Sequence, residues 1–447
     1  MFNFHKNITH IGNGTKLDDS TGKIRKITMP DKDRKGHLFC FGATRSGKTR
    51  MIESMIEQDI RKGYSVCFID PKGDIDIFSK IVQVALEENR QDDLCLVTPI
   101  FPDYSSRIDP LAYYYMNEEI VSHVVSGIKA KEEFFVNVAY ETTLMIVLSL
   151  LLFKRIRGDS GEEARLNFDD IKNRASHAGL TSLRNELDVI KNIEPKAIEI
   201  IESLNQILSS PPDYFAKVSS SLRTVLTSIS TGSVGTIIGQ AKSNRFIERL
   251  ENNQKTILIV QTGSLLTRRT AHIVGRVLIS MVQSFIGRRY ASGKKISPPL
   301  CMYIDEMSNV IYLGIEDLFN KGGGADVWVH GFTQSIADLE AEIGPVYARK
   351  ILDNTNTKIF MRVNDPSTAK YISDYAGIKD CFSPFLSLSG GITIRQVEKY
   401  RIKPEDVLNL KPREFYMFSF HAAGYKGVTN FIKPAYIQVK YPEAKIQ

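Results

Sequence analysis

The sequence predicts an α/β fold, a RecA-like P-loop ATPase core with a mostly parallel central sheet into which an all-α domain is inserted. Three observations point to it. Runs of β-branched and aromatic residues alternate with longer helical patterns along most of the chain, as in a sheet built from strands and crossover helices. Between about Asn117 and Ser230 the apolar positions change to a spacing of three and four with few strand signals. A glycine-rich octet, residues 42–49, lies directly between an apolar strand-like run and a helical pattern.

The strand-like runs are His37–Phe41, Tyr64–Asp70, Leu94–Thr98, Thr256–Gln261, Leu300–Asp305, Val327–Thr333 and Lys358–Val363. In the helical insert, Ile120, Val124 and Ile128, then Leu144, Val147 and Leu151, mark apolar faces at helical spacing. This divides the chain into a first part of the nucleotide-binding domain (1–116), the inserted all-α domain (117–230), and a second part (231–447). From Gly391 the pattern returns to strand-like alternation at Ile392, Ile394 and Phe415–Phe420, expected to add edge strands to the sheet.

Composition bounds the function without naming it. With 447 residues, 43% of them hydrophobic, the chain can bury a full core and is expected to form two or three domains, which excludes disorder as its main theme. Lys and Arg exceed Asp and Glu by 58 − 51 = 7, compatible with a polyanionic partner but far from a histone-like balance. Cys40, Cys67, Cys95, Cys301 and Cys381 are widely spaced and read as reduced thiols of a cytosolic protein. The histidines show neither metal-ligand spacing nor a CxxC partner. Met1–Ser20 is too polar for a signal peptide, and the longest apolar run, Leu144–Phe153, is about half of the ~20 residues a membrane span needs, so it is expected to be a buried helix.

The octet Gly42-Ala43-Thr44-Arg45-Ser46-Gly47-Lys48-Thr49 is a complete GxxxxGK[ST]. Backbone N–H groups of such a loop wrap phosphate oxygens, Lys48 can neutralise the β and γ phosphates, and Thr49 can offer its hydroxyl to Mg2+. ATP or GTP is the expected ligand. The loop needs an acidic partner, and the run Leu300–Ile304 ends in Asp305-Glu306: Asp305 for the magnesium shell and Glu306 to orient or deprotonate an attacking water. The next strand-like run ends in Thr333-Gln334, where the Gln334 amide is placed to sense the γ-phosphate, an ordinary helix start being the alternative. The run Thr256–Gln261 falls between the P-loop and Asp305, and their long separation suits P-loop motors with an additional strand better than simple nucleotide kinases.

Further segments accompany these: Asp70-Pro71-Lys72-Gly73-Asp74, Arg107-Ile108-Asp109-Pro110-Leu111, Phe332-Thr333-Gln334-Ser335, and Arg401–Pro412 near the end. With GATRSGKT and CMYIDE, in this order around a helical insert, the chain from about Ile11 to Tyr436 resembles the cytosolic part of TraD/TraG-type conjugative coupling proteins, the coupling ATPases of type IV secretion systems. The resemblance implies a RecA-like motor that uses ATP and Mg2+ and is a homo-hexameric ring when active. It implies as partners single-stranded DNA, a relaxase or secreted effector received by the helical domain, and inner-membrane secretion-channel components. The implied location is the cytoplasmic face of the bacterial inner membrane.

Two departures from the family pattern are visible. Relatives usually open with a transmembrane anchor, whereas this sequence opens near the start of their cytosolic part; either an anchor lies outside it, or the chain docks on a separate membrane partner. Relatives also often carry, within the segment corresponding to Asn320–Ala325, an arginine that reaches the next subunit's nucleotide; here the position is Gly323. The trans-acting arginine is then sought among Arg349, Arg362, Arg268 and Arg269, with Arg349 first, and the isolated chain is expected to be mostly monomeric when dilute.

The stretch Arg268–Lys295 carries seven basic residues and no Asp or Glu. It reads as an amphipathic helix burying Ile273, Val277, Met281 and Phe285 with its basic side solvated; a surface following a phosphate backbone is the alternative. Trp328 reads as a core strand residue. Two other functions are compatible with the sequence: a DNA pump of the FtsK/HerA type, against which the RIDPL and RIKPED segments count, and a nucleotide-gated receptor for secreted proteins with no DNA role.

Overall fold

The computed structural model describes residues 7–19, 21–129, 133–161, 163–386 and 392–442. Its strands are β1 (Ile8–Lys16), β2 (Arg25–Pro30), β3 (Leu38–Phe41), β4 (Ser65–Asp70), β5 (Leu94–Val97), β6 (Ile257–Gln261), β7 (Leu300–Ile304), β8 (Val327–Thr333), β9 (Thr357–Phe360), β10 (Ile378–Leu386), β11 (Ile392–Tyr400), β12 (Glu414–Phe418) and β13 (Gly424–Thr429). The motor helices are α1 (Lys48–Arg61) and α2 (Ile75–Glu87), then, beyond the insert, α12 (Arg268–Ala291), α13 (Glu316–Lys321), α14 (Ile336–Asp353), α15 (Pro366–Ala376) and α16 (Pro404–Leu408). Between β5 and β6 come α3 (Asn117–Ser126), α4 (Glu133–Arg157), α5 (Phe168–Arg174), α6 (His177–Ile190), α7 (Lys196–Leu208), α8 (Pro212–Val218), α9 (Ser220–Ser230), α10 (Gly232–Val234) and α11 (Arg245–Glu251).

One 11-stranded sheet runs in the order β2-β1-β13-β12-β9-β3-β8-β7-β4-β6-β5. From β9 to β5 every pairing is parallel, and from β12 outward to β2 every pairing is antiparallel. The alternation of strand side chains divides the core into two layers. Leu38, Cys40, Val66 and Phe68 face α1 and α2 through Met51, Met55, Phe78 and Ile81. Phe39, Phe41, Cys67 and Ile69 face α12 and the insert through Val277, Met281 and Val124.

The seven core strands fall on the runs the sequence marks, but its tail behaves differently from expectation. Strand β12 lies inside the sheet, between β9 and β13, while Ile392 and Ile394 belong to β11, which pairs only with β10 in a separate two-stranded ribbon. Strands β1 and β2 extend the sheet beyond β13 without an apolar run to announce them. Gly12 of β1 explains part of this, because a Cβ there would lie 2.2 Å from the Val428 carbonyl oxygen of β13. Only glycine admits that approach.

The RIDPL segment fastens the exit of the chain into the insert to its return. Ile108 N–H donates to Ile237 O at 2.8 Å and Asp109 N–H to Ser243 O at 2.8 Å, and Asn244 Nδ2 donates back to Asp109 O at 2.9 Å. Helix α4, which contains the longest apolar run, packs against α3, α5, α6 and α7. Among the described residues two helices are long and apolar enough to cross a membrane, Phe134–Arg157 and Arg268–Ala291, with 44% and 72% of their apolar windows buried against the chain. Cys40, Cys67, Cys95 and Cys301 are buried free thiols, as the sequence predicts, and Cys381 is partly exposed.

Helix α12 corrects one expectation. Its basic residues do not all line a solvated face, because Arg276, Arg288 and Arg289 are buried. Arg288 pairs with Glu119 at 2.6 Å, and Arg289 donates to the carbonyls of Leu250 and Glu251, both at 2.7 Å. These arginines tie α12 to α3 and α11.

Beneath the parallel sheet lies a buried ionic network. Arg34, in a 3-10 turn (Asp31–Gly36) before β3, is fully buried and grips Asp59 of α1 with two bonds of 2.5 and 2.7 Å. It also donates to the Tyr303 hydroxyl of β7 at 2.9 Å and to His330 Nε2 of β8 at 3.2 Å. A guanidinium only donates, so His330 is a neutral acceptor there and its Nδ1–H points to Met302 O at 3.1 Å. Burial, then the Arg34 charge, hold the imidazole well below its ordinary value. Burial alone would raise the Asp59 carboxyl, but Arg34 outweighs it and the net shift is downward. Removing one partner leaves a buried charge uncompensated, so Asp59→Asn is expected to lower unfolding free energy by about 3–5 kcal/mol, and Arg34→Met with Asp59→Leu by much less. Urea denaturation of both variants checks this; equal losses would show the effect to be one of packing.

Candidate nucleotide site

The P-loop is held by the strands around it. Beyond β3, Gly42 N–H donates to Thr333 O at 3.1 Å, and Ala43 N–H to Arg362 O at 2.7 Å. Residues 42–49 then reverse into α1 through left-handed backbone at Arg45 (φ 63°) and Gly47 (φ 116°). A Cβ on Gly42 would meet Ser46 Oγ at 2.5 Å, so the tight turn needs glycine there. Thr44 and Arg45 are exposed at the loop's crest, Ser46 is buried beneath it, and Thr49 is half-buried in the first turn of α1. Lys48 is 5% exposed, and its ammonium donates to Gly42 O and, at 3.3 Å, to Ala43 O. Both partners are neutral carbonyls, and among the described residues no carboxylate pairs with this charge, an arrangement that could accept a phosphate.

Strand order brings the remaining groups to the same edge. Strands β3, β8, β7 and β4 lie side by side and parallel, so their C-terminal ends present the P-loop, Thr333-Gln334, Asp305-Glu306 and Asp70-Pro71-Lys72 in a row. Asp305 N–H donates to Ile69 O at 3.0 Å, and the Asp305 carboxylate accepts Glu306 N–H at 2.9 Å. Glu306 adopts left-handed backbone (φ 43°), a conformation costly for a non-glycine residue, which turns its carboxylate back toward the sheet edge. There Lys72 Nζ bonds Glu306 Oε1 at 2.5 Å, and Gln334 Nε2 lies 3.3 and 3.4 Å from its two oxygens.

Burial pushes the Asp305 carboxyl up to about 6, opposed by the Lys72 charge and reinforced by Asp70 and Glu306. Burial also raises Asp70, whose carboxylate accepts the backbone N–H groups of Lys72 at 3.0 Å and Asp74 at 2.6 Å. For Lys72 burial works downward, yet the bond to Glu306 together with the charges of Asp305, Glu306 and Asp70 outweighs it, and the ammonium is held above its ordinary value. Among the described residues no group of three or more His, Cys, Asp or Glu is arranged to hold a metal. The Thr49 hydroxyl and the Asp305 carboxylate fit Mg2+, an ion that draws most of its ligands from water and phosphate.

Two residues that sequence reasoning passed over stand at this site. Lys72 lay in a segment read only as a family marker, and nothing in its local pattern reveals a partner 234 positions away. Arg413 follows the RIKPED segment, and its N–H donates to Ser46 O at 2.7 Å while its own backbone (φ 73°) covers Gly47. Its guanidinium is turned away, bonding Thr429 O at 2.7 Å. The left-handed φ was the detectable signal only in three dimensions.

The arginines sought for trans action are scattered. Arg362 lies beside its own chain's P-loop through the Ala43 contact, Arg349 is exposed on α14 beyond the kink at Gly344-Pro345, and Arg268 and Arg269 are exposed in the first turn of α12. A side chain at Gly323 has no room, since its Cβ would lie 2.2 Å from the Lys35 carbonyl oxygen. Trp328 is 4% exposed, a core residue of β8 with the Arg34 guanidinium 4.8 Å from its ring centroid.

The parallel sheet, the P-loop and the acidic strand end define a RecA-like P-loop ATPase fold with an inserted helical domain. Within that class the chain is similar to TraD/TraG-type coupling proteins: residues 299–395 match the family model described as the TraM recognition site of TraD and TraG. The type 4 coupling protein DotL of Legionella pneumophila is 30% identical over 95 residues, a match spanning 21% of this chain and 11% of DotL. In fold, the unbound conjugative coupling protein TrwB aligns over 95% of this chain and 90% of its own at 17% identity and a TM-score of 0.71. TrwB in complex with ADP and Mg2+ aligns over 91% and 88% with a TM-score of 0.67, again at 17% identity.

The raised Asp305 carboxyl offers a pH test of its fit to Mg2+. If Asp305 is a magnesium ligand it must be deprotonated to act, and burial pushes its carboxyl up to about 6, so magnesium-dependent nucleotide affinity is expected to be nearly constant above pH 7 and to fall about tenfold per unit well below pH 6. Titration with a fluorescent ADP analogue between pH 5 and 8, with and without Mg2+, checks it. Equal pH dependence in both series would remove Asp305 from the metal shell.

Proposed function

We propose that this chain is the ATP-hydrolysing motor of a coupling protein in a conjugative or type IV secretion system. The observation that carries the reading is the convergence of Lys48, Asp305, Glu306 and Gln334 at one sheet edge, on a chain similar to coupling proteins. Backbone N–H groups of residues 42–49 and the start of α1 bind the phosphates, and Lys48 leaves its carbonyl partners to neutralise the β and γ oxygens. Magnesium, held by Thr49 and Asp305, would neutralise charge developing on the transferred phosphoryl group. Glu306 accepts the proton of the attacking water, and Gln334 orients that water and reports the γ-phosphate. Lys72 is a positioning residue that holds the Glu306 carboxylate in place.

The helical insert and the match over residues 299–395 support a role in receiving cargo, a relaxase bound to single-stranded DNA or a secreted effector, at the cytoplasmic face of the inner membrane. The active form is a homo-hexameric ring in which a neighbour supplies the arginine that one chain lacks. Arg349 is the first choice, because it is exposed on a helix outside its own site.

Lys48→Ala is expected to abolish ATP hydrolysis, and Glu306→Gln to bind ATP but turn it over about 10²–10⁴-fold more slowly. Phosphate-release assays with nucleotide-binding controls check both; normal turnover by either variant overturns its assigned role. An arginine given in trans contributes about 10³–10⁵ in rate, so activity per subunit is expected to climb with protein concentration or with added single-stranded DNA, and Arg349→Ala to flatten that climb while sparing ATP binding. Specific activity constant over a roughly hundredfold concentration range, with and without DNA, would exclude the ring mechanism.

A further inference from the structure

Away from the P-loop, where the end of α3, helix α9 and the first turns of α12 meet, the structure encloses a cavity of about 240 Å³. Lys129, Arg269, His272 and Arg276 line it together with the hydroxyl-bearing Ser221 and Thr224, and among its described lining residues there is no carboxylate. Gly127 lets the three helices close on one another. A Cβ there would lie 2.7 Å from Val225 of α9 and 3.2 Å from Ile273 of α12.

The charge in this cavity is under-compensated. Arg276 is 3% exposed, and its nearest carboxylate, Glu342, is 3.4 Å away and already bonded to Lys129 at 2.6 Å. The buried Nε–H of Arg276 has no partner. A desolvated guanidinium sharing one acid with an ammonium is costly unless an anion completes it. Arg269 adds a cation for which the described residues give no acidic partner. Together with Arg268 it occupies the first turn of a 24-residue helix that has no acidic residue there, so the positive end of the helix dipole opposes both arginines and favours an anion. Burial, then the charges of Arg276 and Arg268, bring His272 down to about 4, leaving it neutral near pH 7.

We propose that this cavity is a phosphate-binding site, in which Lys129, Arg269 and Arg276 bind a phosphoryl group and the hydroxyls of Ser221 and Thr224 complete its hydrogen bonds. It shares no residue with the P-loop. The phosphate comes either from the backbone of a single-stranded nucleic acid, which rests on the function proposed above, or from free phosphate. In the first case the site places the strand at the junction between the insert and the motor, against the helix that packs on both.

Two measurements on the full chain, with ADP and Mg2+ saturating the P-loop, test it. Calorimetric titration with inorganic phosphate reads the free anion, and binding of a single-stranded oligonucleotide across a salt series reads the backbone. The variants are Lys129→Ala, Arg269→Ala and Thr224→Val, whose side chains are not fully buried, with Arg276→Gln added if it melts like wild type. If the ligand is a strand, Lys129→Ala and Arg269→Ala are expected to weaken oligonucleotide binding about tenfold at low salt, each lowering the slope of log K against log salt by about 0.7. If it is the free anion, the same variants lose the heat of phosphate binding and leave the oligonucleotide slope unchanged. A wild type that binds oligonucleotide, phosphate or both, with neither affinity changed by any variant, overturns the site. A wild type that binds neither also overturns it, whereas oligonucleotide binding that survives in all variants, with no phosphate heat that any variant removes, leaves the motor reading standing without this site.

Discussion

Arg34 has no contact with water, and four elements converge on it: the P-loop helix through Asp59, the acidic strand β7 through Tyr303, strand β8 through His330, and the N-terminal strand through Thr9 at 3.0 Å. A charge buried this deeply is tolerated only when all its donors are used, so the four elements hold one relative position or none. Tyr303 stands two residues before Asp305, and Asp59 lies on the helix that begins with Lys48. The distance between Lys48 and the acidic strand end is therefore constrained by an interaction that lies outside the P-loop. Chemistry that loses rate with misplacements of an angstrom needs such a fixed frame.

The frame extends outward from the same 3-10 turn. Asp31, at its start, accepts Lys62 at 2.9 Å and the Tyr64 hydroxyl at 2.9 Å, while Lys35 pairs with Asp326 at 2.5 Å. The Gly322–Ala325 segment is drawn so close that Gly323 packs directly on the Lys35 carbonyl. The glycine at 323 is thus tied to the same frame. A larger residue at 323 would push the turn away and disturb Arg34 with it.

Much of the site was legible because its signals are local. The octet 42–49 announces a loop, the Leu300–Ile304 run delivers Asp305 and Glu306, and the Val327–Thr333 run delivers Gln334, each as a strand end that needs no knowledge of its neighbours. What escaped depends on contacts distant in sequence. Strand β1 carries Gly12, Asn13 and Gly14, residues that disfavour strands, because β13 approaches too closely for side chains. The alternation near 415–420 was visible, but whether a strand lies at an edge or inside depends on its partners, here β9 and β13. Charge in α12 was read as solvation because nothing local tells a solvated arginine from one whose carboxylate comes from α3. Lys72 escaped for the same reason.

Helix α12 shows why the insert is more than an appendage. Its apolar side belongs to the core layer under β3 and β4, while Ile273 and Val277 continue that layer into α3 and α9, so insert and motor share one uninterrupted hydrophobic cluster. Arg288 anchors its far end to Glu119, and the RIDPL crossing pins the two connecting segments to each other by backbone bonds. A shift of the strand edge at the nucleotide has little freedom to dissipate at a soft hinge, since packed interiors transmit displacement instead of absorbing it. Helix α12 runs from the layer that supports the sheet to the turn that carries Arg268 and Arg269 beside the insert. This continuity makes the insert and the motor one packed body.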